Sequence, residues 1–234
     1  MDKGVIHIAS YIILGILLLI LVFIFTRFRP AATGEITKDI YSINAIMMNF
    51  YALKTSEGVV LFDAGINPAV SASGLRKLNL APESVTHVFL THSDFDHAGG
   101  LKAFPNARVY ISEAEERMVN GTTARRGFMR NRLPTPYKTL KDKETFNIGG
   151  KSVQARLTPG HTPGSVTYYV DGGRVLVTGD LLRLTGGGEI KPFLILMNMD
   201  QEKDAQSTEA IKPDAEKAEY ILTGHTGVKQ RNLS

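Results

Sequence analysis

The densest chemistry in this chain lies in Thr91-His92-Ser93-Asp94-Phe95-Asp96-His97-Ala98-Gly99-Gly100. Four metal-capable side chains, His92, Asp94, Asp96 and His97, fall within six residues. The apolar run 85–90 before them reads as a strand, which delivers its last side chain to a set place. A tight loop can then fold the next donors around one point. Imidazole with carboxylate suits Zn²⁺, Mn²⁺ or Fe rather than Ca²⁺. The sequence contains no cysteine, so a transition-metal site must use nitrogen and oxygen donors. Only six histidines are present, and two of them sit in this cluster.

Three later segments each end in one ligand-type residue. Leu157-Thr158-Pro159-Gly160-His161-Thr162-Pro163-Gly164 holds a histidine between two Pro-Gly turns, which set backbone direction. Arg174-Val175-Leu176-Val177-Thr178-Gly179-Asp180 reads as a buried strand ending in Gly-Asp. Tyr220-Ile221-Leu222-Thr223-Gly224-His225 repeats the pattern with a histidine. Loops at strand ends, held by a rigid sheet, are where layered α/β proteins collect their sites. Four such motifs in one chain favour a metal site over a polar surface turn.

With these motifs, residues 40–228 resemble the metallo-β-lactamase superfamily of metal-dependent hydrolases. The likeness includes Asn49-Phe50-Tyr51-Ala52-Leu53 and Val59-Val60-Leu61-Phe62-Asp63-Ala64-Gly65. The family signature, His-x-His-x-Asp-His followed by a lone His, a lone Asp and a last His, maps onto His92, Asp94, Asp96, His97, His161, Asp180 and His225. Asp94 departs from it, standing where most members carry the second histidine. The resemblance implies a four-layer αββα sandwich and two divalent metal ions, Zn²⁺ first, with Mn²⁺ or Fe as alternatives. One ion is expected on His92, Asp94 and His161, the other on Asp96, His97 and His225, with Asp180 bridging. Asp96 is also expected to act in catalysis, orienting the nucleophile or carrying its proton to the leaving group. Asp63 and Thr91 are expected behind the ligands, fixing their orientation.

The implied activity is hydrolysis of an ester, thioester, lactone or phosphodiester in a small-molecule substrate by a metal-activated hydroxide. Two other classes stay open. Flavodiiron relatives carry a carboxylate (Glu) at the Asp94 position, and sulfur dioxygenases of the superfamily use one iron, so an iron-dependent redox enzyme is an alternative. A non-catalytic membrane-anchored binding module is another, opposed by retention of all seven ligand-capable positions. Substrate and oligomeric state are not written in the sequence.

The elements that must position these residues alternate between strand and helix, an α/β pattern without internal repeat. Strands are predicted over 40–53, 57–62, 107–111, 146–159 and 165–170, with a turn at 171–173. Helices are predicted over 69–78, from 113 to 119 and over 200–212, the last capped by Asn198 or Asp200. Two inserts could shape a pocket, 120–136 and the apolar run after Gly186-Gly187-Gly188, which includes Met197. His87 lies inside a strand and reads as structural. His7, in the N-terminal apolar segment, is not a ligand candidate.

The 234 residues suit one catalytic domain, 40–234, plus an appendage. Residues 5–26 are nearly all apolar, long enough for a transmembrane helix, with Arg27, Arg29 and Pro30 after it and a linker over 27–39. The run exceeds the core of a cleaved signal and lacks a suitable cleavage site. A single membrane span is therefore expected, and the larger Lys/Arg count downstream favours a cytoplasmic catalytic domain. Net charge is +4. Arg117, Arg125, Arg126, Arg130, Arg132 and Lys138 crowd one segment, either as a solvated face beside lipid headgroups or as an approach for an anionic substrate. Without tryptophan or a recognisable module, nucleic acid is not an expected partner.

Overall fold

The computed structural model describes residues 3–125 and 127–231; the side chains of residues 3–10, 20, 21, 24 and 25 lie outside that description. Two sheets pack face to face in a mixed α/β sandwich. The first runs in chain order: β1 (Gly34–Thr37), β2 (Ile40–Asn44), β3 (Asn49–Thr55), β4 (Gly58–Phe62), β5 (Val85–Phe89), β6 (Arg108–Ser112) and β7 (Tyr137–Leu140). It is antiparallel from β1 to β4 and parallel from β4 to β7. The second joins β8 (Thr145–Ile148), β9 (Lys151–Leu157), β10 (Val166–Val170), β11 (Val175–Gly179), β14 (Tyr220–Thr223) and β15 (Gly227–Gln230), in the order β15-β14-β11-β10-β9-β8. A small hairpin, β12 (Leu182–Leu184) with β13 (Ile190–Pro192), lies between β11 and β14 in sequence.

The core between the sheets joins Tyr51, Phe62 and Phe89 of the first to Val153, Tyr168, Val177 and Leu222 of the second. Removing each such side chain from water contributes about 1.5–3 kcal/mol. The outer face of the first sheet packs on α2 (Pro68–Arg76) through Leu75. That of the second packs on α5 (Gln201–Lys217) through Ile211 and Ala215. Buried tyrosines tie the two sheets together: Tyr51 Oη donates to Thr223 O at 2.7 Å and Tyr168 Oη to Leu90 O at 2.7 Å.

Several expected elements change at their ends for local reasons. The strand expected over 40–53 is a hairpin, because Asn44 Oδ1 accepts Ile46 N–H at 3.0 Å and turns the chain. The strand expected over 146–159 breaks at Gly149 and Gly150, with φ of 53° and 81°. The helix expected from 113 is only α4 (Glu116–Val119). Asp200, not Asn198, caps α5 by accepting Lys203 N–H, and α5 runs through Pro213 to Lys217.

The expected membrane-spanning segment over 5–26 is not supported. A helix, α1 (Lys3–Arg27), covers it, but among the described residues no helix is long and apolar enough to cross a membrane. The expected linker contains β1, and its residues touch the domain: Arg29 N–H donates to His225 O at 2.8 Å and Ala31 N–H to Asn49 Oδ1 at 2.7 Å.

The start of α5 braces the Pro159-Gly160 turn, where Ser207 Oγ donates to Pro159 O at 2.7 Å and Asp200 N–H to Gly160 O at 2.9 Å. Asp204 is fully buried there, and burial pushes its carboxyl up to about 6 against a smaller opposing effect of Asn198. A folded-state value above the unfolded one makes the ionised form a liability, present at neutral pH and relieved as pH falls. The melting temperature of Asp204→Asn relative to the native protein is therefore expected to rise as pH goes from about 4 to about 7. A difference constant across that range would show that Asp204 titrates normally.

Candidate metal centre

All seven expected donors meet at one end of the sandwich. Asp94, Asp96 and His97 follow β5, with Asp96 and His97 on the single turn α3 (Phe95–Ala98). His161 follows β9, Asp180 follows β11 and His225 follows β14. Backbone hydrogen bonds hold these loops together: Val166 N to Thr91 O at 2.8 Å, Gly224 N to Gly179 O at 2.9 Å and Asn49 N to Gly224 O at 2.7 Å. Gly224 is required by contact, because a Cβ there would lie 2.3 Å from Asp180 Oδ1.

The imidazole Nε2 atoms face inward onto carboxylates. His161 and His225 Nε2 lie 3.4 and 3.2 Å from Asp180 Oδ2, and His97 Nε2 lies 3.5 Å from Asp180 Oδ1. His225 Nε2 is 3.5 Å from Asp96 Oδ2, and His161 Nε2 is 3.4 Å from Asp94 Oδ2. Three groups of donors lie close enough together to hold an ion: His92, Asp94 and His161; Asp96, His97 and His225; and His92, His97 and Asp180.

Every Nδ1 is engaged on the far side of its ring. His97 Nδ1 donates to Asp63 Oδ2 at 2.8 Å, His225 Nδ1 to Met47 O at 2.8 Å, His161 Nδ1 to Asn198 Oδ1 at 3.2 Å and His92 Nδ1 to Thr91 Oγ1 at 3.0 Å. Such partners fix the tautomer that leaves the Nε2 lone pair facing inward. His92 Nε2, His97 Nε2 and Asp180 Oδ1 are buried with no hydrogen-bond partner. Orphaned lone pairs of this kind cost free energy unless a cation or proton meets them, so the donor set fits a divalent ion.

The electrostatics agree. Burial would lower the His97 imidazole, but Asp63, Asp180 and Asp96 outweigh it and hold the group up at about 10. Burial raises the Asp180 carboxyl, yet His225, His97 and His161 bring it well below the usual range. Burial likewise raises Asp94, and His161 and His92 bring it well below its ordinary value. The cluster is thus acid-rich and retains positive charge tightly.

Asp63 lies beside the donor cluster. It sits at φ 65°, and its carboxylate accepts Thr91 N–H at 2.7 Å, Thr91 Oγ–H at 2.9 Å and His97 Nδ1–H. His87 stacks on Phe89 and Tyr110 away from the cluster, and the His7 side chain lies outside the described residues.

Glu115 was not foreseen. Fully buried, it accepts Ser93 N–H at 2.8 Å, Ser93 Oγ–H at 2.6 Å, Thr162 Oγ–H at 2.7 Å and Gly164 N–H at 3.1 Å, joining the loops that carry His92 and His161. No local sequence signal marks it, since its partners are 22 to 49 residues away. Of the basic segment, Arg125 is buried at the donors, Arg117, Arg130, Arg132 and Lys138 are exposed, and Arg126 lies outside the described residues. From the second insert, Phe193 packs on His225 and His161, while Met197 lines the cavity above them.

That cavity has a volume of about 660 Å³ and an apolar wall that includes Phe23, Phe28, Met47, Phe95 and Met129. A second one, about 670 Å³ between α5 and β13, contains none of the donors.

A family model described as the metallo-beta-lactamase superfamily matches residues 44–225. The uncharacterized protein YobT of Bacillus subtilis is 30% identical over 200 residues, covering 76% of this chain and 82% of its own length. The probable metallo-hydrolase YqgX of the same organism is 31% identical, covering 62% and 71%. A hydroxyacylglutathione hydrolase of Synechococcus is 32% identical, covering 59% of this chain and 52% of its own length. Among solved structures, a B3 metallo-beta-lactamase with an active-site glutamic acid superposes with a TM-score of 0.68 over 91% of this chain and 87% of its own, at 21% identity, a likeness of fold.

Asp63→Ala would orphan the buried Thr91 N–H and His97 Nδ1–H. Metal affinity is expected to fall about 10–100-fold and the melting temperature to drop, with Asp63→Asn milder on both counts because it keeps one acceptor. Isothermal titration and thermal melts of the three proteins would check this order; equal affinities would remove Asp63 from its positioning role.

Proposed function

The chain belongs to the metallo-beta-lactamase superfamily, and on that premise we propose that it is a metal-dependent hydrolase of a small amphipathic substrate, cleaving an ester, thioester, lactone or phosphodiester. The observation that carries the reading is the arrangement of four imidazoles, each held outward at Nδ1, with Nε2 turned onto Asp94, Asp96 and Asp180. Imidazole with carboxylate favours Zn²⁺, with Mn²⁺ or Fe²⁺ the other ions that accept such donors. Residues 96, 97 and 225, with Asp180, would supply one ion, and residues 92, 94 and 161 form a second group of donors of the same kind. When bound, such an ion lowers the pKa of water toward neutrality and polarises the attacked oxygen.

The remaining work falls to the chain. Asp96 is partly exposed, lines the cavity and lies 3.5 Å from His225 Nε2. From there it orients the attacking water and can take its proton toward the leaving group. Phe23, Phe28, Met47, Phe95 and Met129 exclude water and hold an apolar substrate body, while Arg130 and Asn131 offer polar contacts on the same cavity. Hydrolysis agrees with the names of the related proteins, a probable metallo-hydrolase and a hydroxyacylglutathione hydrolase. The helical faces that cover the outer side of each sheet support a four-layer αββα reading of the sandwich.

The test is a screen of ester, thioester, lactone and phosphodiester probes with elemental analysis, before and after chelation and reloading. Asp96→Ala is expected to reduce kcat by about 10²–10⁴-fold with an unchanged melting temperature. Full activity of the metal-loaded variant would rule out the role, and activity surviving complete chelation would rule out the metal-dependent reading.

A further inference from the structure

Arg125 enters the donor cluster from the segment between α4 and β7. Its Nη2 donates to Asp94 Oδ2 at 2.7 Å, to His161 O at 3.3 Å and to His161 Nε2 at 3.1 Å. Its Nη1 donates to Met197 O. A guanidinium has no acceptor and stays charged at all accessible pH. His161 Nε2 must therefore be the acceptor in this contact, which agrees with its Nδ1–H facing Asn198 Oδ1 at 3.2 Å. Asp94 is saturated from the other side too, because Asn131 Nδ2 donates to its Oδ1 at 2.9 Å. The Arg125 backbone is clamped by a paired bridge to Met129, N to O at 2.9 Å in both directions.

Asp94 Oδ2 and His161 Nε2 are two of the three donor atoms that a first ion would need. The guanidinium already holds both, with a buried side chain and two anchors of its own. A second cation on the same lone pairs meets charge repulsion in a dry site, where it is poorly screened. The other half of the cluster is different. No Arg or Lys side chain is paired with Asp96, His97, Asp180 or His225 among the described residues; His97 Nε2 and Asp180 Oδ1 there have no hydrogen-bond partner, and among the donors of the first half only His92 Nε2 is left without one. A neutral histidine at position 94 could accept a hydrogen bond from Arg125 but could not balance its charge as Asp94 does, so the unusual aspartate and the buried arginine form one device.

We propose that Arg125 stands in for the first metal ion, so that this chain holds a single divalent ion tightly, on Asp96, His97, Asp180 and His225. This rests on the metal-dependent reading above, and metal stoichiometry separates the two. The full chain and its Arg125→Met and Arg125→Gln variants would be stripped, titrated with Zn²⁺ by calorimetry and analysed for metal after gel filtration, with circular dichroism to compare folds. About one tightly held Zn²⁺ per native chain is expected, rising to about two in both variants. Substitution with Co²⁺ gives a second readout, a visible spectrum that doubles its equivalence point when Arg125 is replaced. Two ions of similar affinity in the native chain would overturn the proposal whether or not the variants fold. One ion in native and variant proteins alike would overturn the role of Arg125. No ion in any of them would instead overturn the metal-dependent reading.

Discussion

The site depends on one buried carboxylate. Asp63 ends β4 in a left-handed backbone conformation that few non-glycine residues adopt, and this turns its side chain across to the neighbouring loop. There it satisfies the Thr91 amide, the Thr91 hydroxyl and the His97 ring together. Thr91 in turn accepts from His92 Nδ1, and its carbonyl accepts from Val166 of the opposite sheet. The orientation of two imidazoles and the approach of the two sheets thus pass through one residue. A backbone strained at such a point persists only because its surroundings over-determine it. Glu115 does for the His92 and His161 loops what Asp63 does for His92 and His97, with four donated hydrogen bonds into one buried carboxylate.

Charge organises the interior of the site. Asp63, Asp94, Asp96 and Asp180 surround four imidazoles, and Asp63, Asp180 and Asp96 hold the His97 imidazole up at about 10 despite its burial. The field that holds a proton there is the field that would hold a metal ion, so loading exchanges one positive charge for another and releases protons. Arg125 belongs to the same balance as a cation the chain supplies itself.

The donors were legible in sequence because each stands at the end of an apolar strand, and strands bring chain-distant ends to one edge of a sheet. The pairing partners of those donors were not. Glu115, Asn198 and Arg125 act across 22 to 72 residues, and nothing in their immediate neighbours distinguishes them from a surface acid, a helix cap and a basic run. Strand boundaries failed where apolar character continued through a turn, as at Asn44–Met48, since hydrophobicity reports burial on both sides of a hairpin alike. The run 5–26 was legible as apolar and is helical, but the expectation that it spans a membrane was not met among the described residues.

Phe28 stacks on His225 with ring centroids 4.3 Å apart, Arg29 bonds the His225 carbonyl, and Phe23 of α1 lines the cavity. The N-terminal helix is therefore mechanically coupled to the donors and does not hang from a free hinge. Phe23 and Phe28 form part of the wall past which a molecule reaches the donors. A shortened form of the protein that began at Pro30 would lose an aromatic wall and the amide that steadies His225. It would report on a more open and looser centre than the one the full chain builds.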